Sequence, residues 1–179
     1  QPRIDDLEYA VEHYKDEFYI VTNADEATNF KIVKTKVENP GMENWVDVIP
    51  HRKETLLEGF EIFNNYLVLE ERTEGLLNIK VIDYQRNTSH YLEFNDPTYT
   101  AYIGLNLEFN TDKLRFGYIS LTKPSSTLEY DMKEKTTIVL KEHEVLGGQF
   151  FTDNYISERI WAPSRDGKTV IPISLVYHK

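Results

Sequence analysis

Carboxylates are the residues of this chain whose type and spacing come nearest to chemistry. Glu142 and Glu144 flank His143 at the end of one apolar stretch, and Glu70-Glu71-Arg72-Thr73-Glu74 closes another. On a strand, residues two apart point the same way, so such a pair can share acid–base work or hold a cation. Carboxylate pairs act this way only in a shaped, partly desolvated site. The expected role of both clusters is therefore a solvated edge that discourages strand pairing. Five histidines (His13, His51, His90, His143 and His178) fall in separate segments without metal-ligand spacing and are expected on strand faces or the surface. No serine is flanked as Gly-x-Ser-x-Gly, and no phosphate-binding Gly-rich loop or His-Glu-x-x-His is present. With no cysteine, disulfides, thiol nucleophiles and Cys-based zinc sites are excluded. Trp45, Tyr99, Tyr102 and Trp161 offer a binding surface, but at strand spacing they are expected to pack blade against blade. The residues thus indicate no catalytic group, no metal site and no cofactor, and leave substrate-binding residues unknown.

The elements that hold these residues are strands. Of 179 residues, 13% are aromatic, with twelve Tyr and nine Phe, a composition that favours pleated, packed sheets. The net charge of −10 argues against a nucleic-acid footprint, which needs clustered Lys and Arg. No run approaches the ~20 apolar residues of a membrane span, so no membrane partner is expected. No leader peptide is visible, and the start at Gln1 reads as that of a processed or excised chain.

A repeat organises the chain. A polar turn followed by an apolar strand recurs at Asp16 (DEFYIVTN), Asn64 (NNYLVLEE) and Asp112 (DKLRFGYIS), 48 residues apart each time. A second marker, FKIVKT from Phe30, IKVIDY from Ile79 and LEYDM from Leu128, keeps step at 49. Each unit reads as four strands. The first runs LEYAVEHY, whose alternation predicts a half-buried strand, then FYIVTN, an unbroken apolar run that suits a strand covered on both faces, then FKIVKTK and WVDVIP. The second runs LLEGFEIF, YLVLEER, LLNIKVIDY and HYLEF; the third runs TYTAYIGLNLEF, LRFGYISL, TLEYDM and TTIVLKEH. Gly59, Gly104 and Gly117 inside these strands are expected at bulges or close contacts.

Four strands per unit at this period predict an all-β fold, a partial β-propeller of three antiparallel blades over roughly 7–50, 54–94 and 99–146. A closed ring needs ~4 to 8 blades, so blades are expected to be missing and the exposed blade edges to drive self-association. Gly147-Gly148 breaks the rhythm, and 147–155 reads as a connector. ERIWAPS and KTVIPISLVY then flank Arg165-Asp166-Gly167, a hairpin signal outside the repeat, with Pro163 and Pro172 marking edge-like or irregular positions. Without sheet partners this hairpin is expected to be mobile or mispaired. The chain divides into 1–150 and 151–179.

The stretches LEYAVEHYKDEFYIVTN, LLEGFEIFNNYLVLEERTEGL, FNDPTYTAYI, LRFGYISLTKPSSTLEYDM, VLKEHEV and, above all, NYISERIWAPSRDGKTVIPISLVYHK carry a resemblance along nearly the whole chain. They resemble the later propeller blades of the prolyl oligopeptidase family of serine peptidases, most of all its oligopeptidase B (protease II) branch. The resemblance implies a seven-bladed propeller capping an α/β-hydrolase domain, with 151–179 the connector and first strands of that domain. It implies a Ser–Asp–His triad and basic-residue specificity carboxylates outside this chain; neither is carried over to Glu70, Glu71 or Glu74. It implies a parent enzyme that hydrolyses short peptides after Arg or Lys, this segment being the inactive gating part. The implied partners are short basic peptides and the missing hydrolase domain, and the implied compartment is the cytoplasm, with the periplasm as alternative. The other reading is a non-catalytic propeller module that binds a peptide or protein partner.

Overall fold

In the computed structural model, which describes residues 3–147 and 150–179, three four-stranded antiparallel sheets follow one another and a two-stranded hairpin closes the chain. Sheet one is β1 (Tyr9–Tyr14), β2 (Glu17–Thr22), β3 (Lys31–Lys36) and β4 (Val46–Ile49). Sheet two is β5 (Leu56–Ile62), β6 (Tyr66–Thr73), β7 (Leu76–Asp83) and β8 (Thr88–Tyr91). Sheet three is β9 (Tyr99–Ile103), β10 (Lys113–Ser120), β11 (Ser126–Asp131) and β12 (Thr136–Glu142). Within each sheet the strands lie in chain order, and the only helical segments among the described residues are two three-residue 3-10 turns. The markers at Asp16, Asn64 and Asp112 all fall between the first and second strands of their sheets, and the second set falls at or within the third strands, so the repeat in the sequence is the repeat of the blades.

The core lies between sheets, and β6 explains how. Leu67 and Leu69 enter a cluster with Tyr14, Tyr19, Ile32, Leu57 and Ile62, which joins sheets one and two. Tyr66 and Val68, on the opposite face, enter a cluster with Leu114, Phe116, Tyr118 and Tyr130 of sheet three. A strand packed on both faces loses the need for alternation, which is why YLVL reads as an unbroken apolar run. Phe94, Tyr99 and Tyr118 complete this second seam, with ring centroids 4.7 Å (Phe94–Tyr99) and 5.2 Å (Phe94–Tyr118) apart.

Three expectations need correction. β1 is exposed at Tyr9 and Val11 and buries only Tyr14, because no described sheet lies against its outer face. TYTAYIGLNLEF forms a strand only to Ile103: beyond it Asn106 takes the place of ladder partners, its Oδ1 accepting from Arg115 N at 2.7 Å and its Nδ2 donating to the Gly104 and Arg115 carbonyls. The fourth strand of sheet two begins at Thr88, two residues before HYLEF.

Glycine behaves largely as expected. The register slips between Leu57 and Gly59, and Gly117 lies beneath the ring of its cross-strand partner Tyr102, where a Cβ would overlap the ring. The terminal hairpin, β13 (Tyr155–Pro163) and β14 (Val170–His178), pairs in unbroken register from Tyr155↔His178 to Pro163↔Val170, so mispairing is not seen. Its loop is wider than a two-residue Asp-Gly turn: Ser164 N donates to Thr169 O at 2.7 Å, leaving Arg165–Lys168 at the tip. Of the connector over 147–155, Gly148 and Gln149 lie outside the described residues.

Candidate functional site

The acidic run at the end of β6 sits at neither a solvated edge nor a catalytic cleft. Period two carries the buried Leu67 and Leu69 positions on to Glu71, whose side chain is fully buried. A carboxylate there requires a charged partner. Arg52, from the connector between sheets one and two, supplies it with Nη2 2.6 Å from Oε1 and Nη1 3.3 Å from Oε2. The Tyr91 hydroxyl donates to Oε2 at 2.6 Å. Glu71 thus ties connector, central strand and outer strand together, and its carboxylate, followed by the Tyr91 hydroxyl, pushes the Arg52 pKa up against the opposing effect of burial.

Glu70 faces the other way and accepts the Ile103 amide of sheet three. Burial pushes its carboxyl up, and that backbone N–H partly offsets the effect. Glu74 alone of the run is an exposed turn residue. The expectation of a solvated edge therefore fails for Glu70 and Glu71, because β6 is the second strand of a sheet covered on both faces. It describes Glu142, His143 and Glu144, which are exposed at the end of β12.

A second set of carboxylates lies on the first strands of sheets one and two. Burial, then the charge of Glu12 on β1, pushes the Glu61 carboxyl of β5 up to about 6. Nearby, Glu58 is paired with Arg72, whose Nη2 lies 3.2 Å from Oε2. The arrangement presents negative charge along first strands without joining two free carboxylates to a bound cation, and among the described residues no group of three or more His, Asp or Glu could hold a metal.

The histidines remain apart. His90 Nε2 is 2.8 Å from the Tyr130 hydroxyl across the seam of sheets two and three, and burial pulls its pKa down. His13 packs edge-on to Phe18, and His178 likewise to Tyr155. His51 carries a buried Nε2 without a hydrogen-bond partner, and His143 is exposed. Of the four aromatics, Tyr99 packs blade to blade and donates to Asn78 Oδ1 at 2.8 Å, whereas Tyr102 covers Gly117 on an open face. Trp45 donates to the Pro40 carbonyl, and Trp161 is half exposed under the Arg159 guanidinium. An open cleft of about 500 Å³ on sheet three is lined by Tyr102, Leu105, Leu107, Lys113 and Arg115.

The junction between the blades and the hairpin is small. Arg159 of β13 and Ser174 of β14 are cross-strand partners on one face. Arg159 Nη2 donates to the Glu74 carbonyl in the two-residue β6–β7 turn, and Ser174 Oγ lies 3.4 Å from Thr98 Oγ1 at the start of sheet three. Arg52, Tyr91 and Arg159 were not singled out by sequence reasoning. The signal for the first two was the phase of β6, which makes Glu71 a core position in need of a cation; nothing in the sequence pairs Arg159 with Glu74.

Compared with known proteins, residues 1–143 match the family model of the prolyl oligopeptidase N-terminal β-propeller domain. A dipeptidyl aminopeptidase BI of Pseudoxanthomonas mexicana is 40% identical over 178 residues, 99% of this chain and 24% of that protein. Oligopeptidase B from Leishmania major superposes with a TM-score of 0.86 at 28% identity, over 100% of this chain and 26% of that one. Oligopeptidase B from Trypanosoma brucei, in a closed form with covalently bound antipain, gives 0.85 at 30% identity, over 99% and 26%. The chain spans about a quarter of the length of the proteins it matches.

Proposed function

Since the chain belongs to the prolyl oligopeptidase family through that family's N-terminal β-propeller domain, we propose that it is the gating and scaffolding segment of a serine oligopeptidase whose triad lies elsewhere in the protein. The observation that carries the reading is the superposition of all three sheets and the hairpin on a quarter of an oligopeptidase B. In the proposed parent, a serine attacks the peptide carbonyl, a histidine takes and returns the proton, and backbone N–H groups hold the oxyanion. The segment described here contributes binding surface and restriction of entry rather than proton transfer. Its hairpin forms the first strands of the hydrolase domain, which is its covalent partner.

The proposed substrates are short peptides cleaved after Arg or Lys. The charge of −10 and the carboxylates on first strands support a cationic substrate, because blades surround a central channel and a lining of one sign raises the local concentration of opposite charge. A second reading, dipeptidyl aminopeptidase activity, is favoured by the name of the 40% identical relative. The full-length protein should be assayed on an N-blocked Arg-directed fluorogenic peptide and on a free-amine dipeptide analogue. Faster turnover of the blocked peptide supports the first reading and faster turnover of the free amine the second. No hydrolysis of either overturns both.

A further inference from the structure

The β13–β14 hairpin is its own sheet, its strands pairing with no strand of the three blades. Among the described residues, one strong polar contact holds it to them. Arg159 Nη2 donates to the Glu74 carbonyl, while the Thr98–Ser174 contact, at 3.4 Å, is at the limit of a hydrogen bond. Ser157 Oγ, two residues before Arg159 on the same face, is buried without a partner and adds nothing. The acceptor is well defined. Glu74 (φ 52°) and Gly75 (φ 82°) both take positive φ between the paired residues Thr73 and Leu76, the conformation of a tight hairpin turn, so the carbonyl is held rigidly by β6 and β7. Gly75 also leaves room for the guanidinium: a Cβ there would meet Arg159 Nη2 at 3.2 Å. The donor is pre-aimed in turn, because the Arg159 guanidinium lies over the Trp161 ring, 5.4 Å from its centroid and two residues along the same face.

We propose that Arg159 is a latch: its guanidinium, braced on Trp161, fixes the hairpin against the backbone of the Glu74-Gly75 turn, and its release leaves the β13–β14 ladder unsupported and free to open locally while the blades stay folded. The latch grips a neutral carbonyl and not the Glu74 carboxylate, so the turn needs no acid side chain. It lies where one chain segment leaves the propeller, so it would set how firmly whatever follows the hairpin is coupled to blades two and three. The inference does not depend on what reaction the protein catalyses.

Hydrogen exchange of amides in 155–163 and 170–178 tests it, with 66–73 of β6 as the internal reference. Arg159→Ala should speed hairpin exchange roughly tenfold, the scale of one charge-assisted hydrogen bond, and leave β6 unchanged. Glu74→Gln should leave both regions within twofold of the parent, as should Ser174→Ala. Hairpin exchange unchanged in Arg159→Ala, or hairpin and β6 accelerated alike, would overturn the latch. So would Glu74→Gln loosening the hairpin as much as Arg159→Ala, since the carboxylate would then be the partner.

Discussion

Removing Arg52 should destabilise this fold by stranding a buried charge. Its partner Glu71 has no exposed side-chain surface, whereas Arg52 itself is one-third exposed. Arg52→Ala would leave a buried carboxylate with one remaining donor, the Tyr91 hydroxyl at 2.6 Å. Breaking a buried pair from one side costs about 3–5 kcal/mol, and water reaching the vacated Arg52 position places the expected cost near the lower end, ~3 kcal/mol. For a chain of this size, that corresponds to a fall in Tm of roughly 6–12 °C. Glu71→Gln removes the buried charge while Arg52 turns to solvent, so it should cost only about 1–2 kcal/mol. The double variant should recover much of the Arg52→Ala loss, a coupling that urea unfolding of the four proteins measures directly. A loss below about 1 kcal/mol in Arg52→Ala, or a double variant no better than Arg52→Ala, would refute the reasoning.

Phe116→Ala should destabilise the chain by about 3–5 kcal/mol in the same urea assay, because Phe116 is fully buried in the seam between sheets two and three; a loss under 1 kcal/mol would mean the seam is not a packed core. Glu61 gives a pH signature. Its folded pKa, about 6, is raised above the ordinary carboxylate value, so its stabilising contribution is full below about 4.5 and lost as pH rises through 6. Glu61→Gln, neutral throughout, should therefore gain ~1 kcal/mol on the parent between pH 4.5 and 7.5, partial exposure having reduced the effect; a constant difference across that range would contradict the assignment. The exposed Ile138, Val139 and Leu140 of β12 should drive self-association of the 179-residue chain, and Val139→Lys should reduce it. Light scattering that shows a monomer at high concentration would reject this.

Much of the fold was legible because propeller blades repeat both spacing and strand order. The turns at Asp16, Asn64 and Asp112 mark the same place in three sheets, and the apolar run of β6 reports burial on two faces. β1 and the stretch after Ile103 were misread for different reasons. The alternation of LEYAVEHY reports a preference for burial, which needs a neighbouring sheet to be realised. The run TYTAYIGLNLEF contains a local competitor, Asn106, that bonds the backbone itself. The clusters around Glu71 and Arg159 were less legible because their partners lie 19 and 85 residues away, and sequence spacing carries no information about contacts made when sheets stack.

The central claim, that this segment is a propeller serving a nucleophile carried elsewhere, is tested most directly by labelling the native protein with a serine-reactive phosphonate probe and mapping the modified peptide. The account predicts a labelled product about four times the length of this chain, as in its relatives, with the probe on a serine outside residues 1–179. A probe bound to a serine within those residues, or a labelled product of this chain's own length, would contradict it.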